Sequence, residues 1–90
     1  MKLTKADREY IRRNFWESED SIDQIERCID RTKFMLDGKK IPTARAIAML
    51  GREKFLTGMD RSAFHFTTVV ETEDGRLIYF DSSRFFKEAT

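Results

Sequence analysis

Three kinds of side chain used in acyl transfer, a hydroxyl, an imidazole and a carboxylate, fall together in Asp60-Arg61-Ser62-Ala63-Phe64-His65-Phe66. They recur in part in Asp81-Ser82-Ser83-Arg84. Such a set works when a base takes the hydroxyl proton and an acid orients that base. Neither stretch has the Gly-x-Ser-x-Gly frame that presents a nucleophile on a sharp turn. Ser62, Ser82 and Ser83 stand instead where turns and helix caps use hydroxyls, and Asp81 closes a strand. His65, the only histidine, adjoins the start of another. The residues therefore support no catalytic assignment, and the chain reads as a non-enzyme.

Metal and cofactor chemistry has less support still. One His and one Cys, far apart on elements of different type, do not make a zinc set. Asp20, Asp23 and Asp30 lack the glycine and the spacing of a calcium loop, and no glycine-rich phosphate cradle occurs. No metal and no cofactor are expected. Cys28 has no partner for an internal disulfide and suits a small buried hydrophobe.

The elements that would position these residues follow from periodicity. Ile22, Ile25, Ile29, Thr32 and Leu36 recur at steps of three and four, with Cys28 and Met35 widening the stripe, which predicts one long helix over Ser21–Gly38. Ser21 with Gln24 gives a capping-box start, Ser18 is a competing cap, and Gly38 with Lys39 and Lys40 marks the stop. A first helix opens at Thr4, with Asp7 in the capping-box position and Leu3, Ala6, Tyr10, Ile11 and Phe15 on its apolar face. The acidic run Glu17–Asp20 separates the two helices. After Pro42, Thr43 caps a short Ala-rich helix that Gly51 ends. Arg52–Leu56 adds a further turn or two before Gly58 interrupts, and Asp60 caps a last turn.

From Phe64 the pattern changes to aromatic and β-branched residues. Asp74-Gly75 predicts a two-residue hairpin turn, so that Glu73 faces Arg76, Thr72 faces Leu77, Val70 faces Tyr79 and Val69 faces Phe80. In that register Phe64, Phe66, Val70, Leu77 and Tyr79 form the core side, and His65, Val69, Ile78 and Phe80 the other. Ser82-Ser83 caps a final turn carrying Phe85 and Phe86, and the last residues fray. The expectation is one small α+β domain over residues 1–90: N-terminal helices, one long and two or three shorter, packed against a C-terminal antiparallel β-hairpin.

Composition narrows the partner. The chain has 90 residues, 40% of them hydrophobic, with 17 basic and 16 acidic side chains leaving a net charge of +1. That is enough for a core, and the interleaved signs lack the basic cluster that nucleic-acid binding leaves. No signal-peptide run or membrane-length apolar stretch occurs, so a cytoplasmic protein without membrane attachment is expected. Helices followed by a hairpin still match the order of a winged helix-turn-helix. A DNA-binding regulator is therefore the alternative, with Arg45, Arg52, Lys54, Arg61 and Arg76 as contacts. Against it, Arg52–Asp60 is too long a spacer and the tip Glu73-Asp74-Gly75-Arg76 is charge-balanced.

The favoured reading is a non-enzymatic protein-binding module, with homodimerisation as one form of it. Large rings are numerous for so small a chain, and aromatic and Arg side chains anchor interfaces. The candidate contacts are Arg61, His65, Phe66, Tyr79 and Arg84. From Leu50-Gly51-Arg52 through Arg61-Ser62-Ala63-Phe64-His65 to Tyr79-Phe80-Asp81-Ser82-Ser83, the chain resembles small uncharacterised proteins of bacteria, phages and mobile elements. The resemblance implies a regulatory or inhibitory accessory role and transfers no functional residue.

Overall fold

The structure, a computed structural model, describes residues 1–88; the expected fraying of the last residues falls on positions outside them. Helix α1 (Lys5–Asn14) starts as its sequence dictates: the Thr4 hydroxyl accepts from the Asp7 N–H at 3.1 Å, and Asp7 accepts from the Thr4 N–H at 2.8 Å. Ile11 is fully buried and Leu3 nearly so, while Ala6 faces solvent. Helix α2 (Glu19–Ile29) lies alongside, with Ser18 in the capping position but no side-chain cap bond. Arg8 reaches Glu19 at 2.6 Å and Asp23 at 2.7 Å, tying the two helices across their exposed side.

The long helix expected over 21–38 is not formed. Helix α2 stops after Ile29, where Arg31 and Thr32 bond three residues back and the Thr32 hydroxyl donates to the Cys28 carbonyl at 2.8 Å. Strand β1 (Lys33–Leu36) follows, turning at Asp37-Gly38 into β2 (Lys39–Ile41). Asp37 at φ 52° and Gly38 at φ 77° give the two left-handed residues that a tight hairpin needs. The apparent helical stripe ran on because Thr32 and Leu36 also fit a period of two. Phe34, which that stripe omits, is one of the largest fully buried side chains.

Helix α3 (Thr43–Leu50) starts with Pro42 in the capping position, so Thr43 is its first residue rather than its cap. Gly51, at φ 82°, is the single residue between α3 and α4 (Arg52–His65). Gly58 does not interrupt α4, and Asp60 lies within it. The glycine is there because a Cβ would stand 2.5 Å from the Phe80 ring and 2.8 Å from Val70. Helix α4 therefore rests directly on strands β3 (Thr67–Glu71) and β4 (Leu77–Asp81). A short α5 (Ser83–Glu88) follows β4, opened by Asp81, which accepts from the Ser83 N–H at 3.0 Å and its hydroxyl at 2.6 Å.

The four strands form one antiparallel sheet in the order β2-β1-β4-β3. The α+β class is as expected, but the strands are interleaved with the helices rather than gathered in a C-terminal hairpin. The β3–β4 register also differs by one residue: Val70 faces Ile78 and Val69 faces Tyr79. Its cause is Thr72, whose N–H donates to the Arg76 carbonyl at 2.8 Å while its carbonyl accepts from Gly75 at 3.1 Å. The connection is thus three residues, Glu73-Asp74-Gly75, with Gly75 at φ 85°. A one-residue shift exchanges the faces of β4 relative to β3, so Ile78 and Phe80 join Val70 in the core while Leu77 and Tyr79, expected there, face outward; Phe66, also expected on the core side, is exposed at the entry to β3.

Replacing Gly58 by Ala tests how closely α4 sits. Alanine favours a helix by about 1 kcal/mol, but the clash with a buried ring outweighs this, and a net loss of about 1–3 kcal/mol is expected in urea unfolding. A stabilised variant would mean that the helix stands off the sheet.

Candidate functional site

One face of the sheet carries the helices; the other is open. Strand alternation places Lys33, Met35, Thr67, Val69, Glu71, Leu77, Tyr79 and Asp81 on that open face. Pairing lines up Lys40, Met35, Tyr79 and Val69 in one row across all four strands. Val69 is 46% exposed, Leu77 58% and Tyr79 40%, an apolar strip that no other element covers among the described residues. A groove along it is lined by Lys33, Met35, Leu77, Tyr79 and Asp81. At its end a second groove takes Lys33, Asp81 and Arg84.

The candidate binding residues are all on the surface but do not form one cluster. Tyr79 and Arg84 border the open face. Arg61 and His65 stand on α4, on the far side of β3. Phe66 is the joint between them: it alone connects α4 to β3, at φ 75° and ψ −52°, with its ring 52% exposed. Its carbonyl accepts from the Ser82 N–H at 2.7 Å, and its ring meets Phe86 at 4.3 Å between centroids. A phenylalanine in the left-handed half of backbone space costs about 1–3 kcal/mol. The direct passage from helix to strand requires it here. Met35 and Val69 were missed as site residues; for Met35 the available signal was the Asp37-Gly38 turn pair directly after the apolar run Phe34-Met35-Leu36.

The residue types of the acyl-transfer stretch are separated. Ser62 and Ser82 are fully buried; the Ser82 hydroxyl lies within hydrogen-bonding distance of those of Ser62, at 2.9 Å, and Thr32, at 2.7 Å. These hydroxyls join α2, α4 and the end of β4, whereas His65 is exposed at the end of α4. Burial pushes the neighbouring Cys28 thiol up. Asp60 accepts from the Trp16 indole N–H at 2.5 Å; its carboxyl is raised by burial, against the lowering effect of that bond and of His65 and Arg61. No group of three or more His, Cys, Asp or Glu among the described residues is placed to hold a metal ion. No described helix is long and apolar enough to cross a membrane.

The five cations named for DNA contact are differently engaged. Arg52 grips Asp7 with both arms, Nε to Oδ1 at 2.7 Å and a second bond to Oδ2. Arg76 pairs with Asp37 at 2.9 Å, bridging the two hairpin turns, and Lys54 donates to the Glu71 carbonyl at 3.1 Å. Arg45 and Arg61 are exposed and make no ion pair with a described residue.

Comparison of the chain with protein families, with curated proteins and with solved structures returns no match.

The Arg52 bonds, opposed by desolvation and helped by Thr4, hold the Asp7 carboxyl below its usual range. A depressed folded-state pKa means that the stabilisation is present at neutral pH and is lost as pH falls through that pKa. Asp7→Asn should therefore cost about 1–3 kcal/mol at pH 7. The gap from the parent should close in acid below the usual carboxylate range, as followed by urea unfolding at both pH values.

Proposed function

We propose that the protein is a non-enzymatic protein-binding module whose contact surface is the open sheet face and the adjoining Phe66 corner. The observation that carries this reading is the exposed strip of Val69, Leu77 and Tyr79, with half-buried Met35 beside it, on a sheet whose opposite face places Phe34, Leu36, Val70, Ile78 and Phe80 in the core. Large contiguous apolar patches are rare on monomeric proteins, and those rimmed by polar groups mark contact sites. Lys33, Lys40, Glu71 and Asp81 supply such a rim. Tyrosine and phenylalanine supply rigid contact area with few torsions to freeze, which favours them as anchors.

The ion pairs of Arg52 with Asp7 and of Arg76 with Asp37 argue against the DNA-binding alternative, because a cation already paired within the fold is poorly placed to neutralise a phosphate. A regulatory or inhibitory accessory role, exercised by occupying a partner's surface, fits a module of this kind.

The test is capture by the tagged chain from host lysate, with and without nuclease, beside a variant carrying Arg61→Ala and Tyr79→Ala. A protein retained after nuclease and weakened at least about tenfold by the variant, with its circular-dichroism spectrum unchanged, is the expected result. Recovery of nucleic acid instead, or equal capture by the variant, would overturn the proposed surface.

A further inference from the structure

The two edges of the sheet are built differently. Strand β2 has three residues, Lys39, Lys40 and Ile41, and Pro42 follows at once; short length, lysine and proline are the usual devices that stop an edge from pairing. Strand β3 has five, Thr-Thr-Val-Val-Glu, with none of them. Its hydrogen-bond phase is settled at both ends, by Thr72 N–H to Arg76 C=O at 2.8 Å and Ser82 N–H to Phe66 C=O at 2.7 Å. Residues 66, 68, 70 and 72 therefore bond toward β4. The N–H and C=O of Thr67, Val69 and Glu71 point away from the sheet. Among the described residues only one of these groups has a partner, the Glu71 carbonyl, which accepts from Lys54.

Helix α4 runs beside this edge. Lys54, Gly58, Arg61 and His65 fall on one line of the helix. Gly58 abuts Val70 and Lys54 reaches Glu71, so that line is the one facing β3, with Arg61 and His65 toward its Thr67 end. The open edge thus has a cationic wall on its helix side. On its other side lies the apolar row Val69, Tyr79 and Met35. The Glu71 carboxylate belongs to that open face, and Asp60 is held by Trp16.

We infer that β3 accepts an extended acidic peptide as a fifth strand, with acidic side chains alternating toward Lys54 and Arg61 and apolar ones toward Val69 and Tyr79. Main-chain bonds to Thr67, to Val69 and to the Glu71 N–H supply affinity, the Glu71 carbonyl being held by Lys54, and the two unlike walls supply sequence preference. A second copy pairing antiparallel about Val69 would set the Lys54–Arg61 line against its own equivalent, and like charges disfavour that occupant. The inference rests on the protein-binding reading and names its ligand class.

The experiment pans the immobilised full chain against a display library of short random peptides, then follows amide exchange with an enriched peptide bound. Expected are peptides with Asp or Glu at alternate positions, slowed exchange at the Thr67, Val69 and Glu71 amides, and at least about tenfold weaker binding by Val69→Pro. That proline removes an outward N–H and leaves the β4 ladder intact. Arg61→Glu, on an exposed helix position, should weaken the same peptides to a similar degree and tests the charge wall without touching the edge. Basic or patternless peptides, protection confined to Leu77 and Tyr79, or concentration-dependent dimerisation through β3 would overturn the inference while leaving a protein-binding module standing. Enrichment of no peptide would overturn it as well, and the lysate capture then decides the broader reading separately.

Discussion

The absence of one side chain governs the packing of this protein. At Gly58 the backbone of α4 comes within van der Waals reach of Phe80 and Val70, closer than any residue with a Cβ could allow. The helix then sits low on β3 and β4, and Phe55 on the same helix reaches the rings of Phe34 and Phe80 at 5.5 and 6.0 Å. That aromatic trio joins the central strands to the helix layer. Helices α1, α2 and α3 then gather around α4, so the layer is organised by a helix whose own propensity is weakened by a mid-helix glycine.

Polar groups inside this packing are few and partnered. Thr32, Ser62 and Ser82 satisfy one another where α2, α4 and β4 converge, and no described buried side-chain N or O atom is left without a partner. Asp7 serves twice, closing the cap of α1 and holding Arg52 at the start of α4. Such groups cost free energy when left unpaired, and so they favour this arrangement over others with similar apolar burial. Outside the core the economy reverses: the open sheet face and the β3 edge leave apolar area and main-chain groups to solvent.

Legibility in the sequence followed the range of the signal. The α1 capping box, the Gly51 boundary and the aromatic hairpin are set by neighbours a few residues apart, and they could be read. Strand β1 could not, because Thr32, Leu36 and the end of the Ile22–Ile29 stripe satisfy two periods at once. What decides between them is Met35 pairing with Tyr79, far along the chain. Gly58 read as a breaker because the ring it accommodates belongs to another element. Thr72 changed the turn by bonding through its own backbone and hydroxyl, to Arg76 N–H at 2.9 Å, a local effect that the Asp-Gly pair obscured. Arg61, His65 and Arg84 were legible as surface positions, whereas Phe66 and Tyr79 were read both as contacts and as core-side residues. The open face was not legible, since it follows from the register.

The order β2-β1-β4-β3 has a kinetic side. Each outer pair is a hairpin closed by a short turn, and α4 with β3 is continuous through Phe66, so these pieces form from contacts close in sequence. Within the sheet only the β1–β4 seam joins distant segments, so the largest loop closure of sheet assembly falls on that step. Until it closes, the hairpin of β1 and β2 has no sheet to belong to and Phe34 lacks the Phe80 ring it meets edge-on at 5.0 Å. Within the sheet, the one long loop closure thus lies at its centre, where the two hairpins meet.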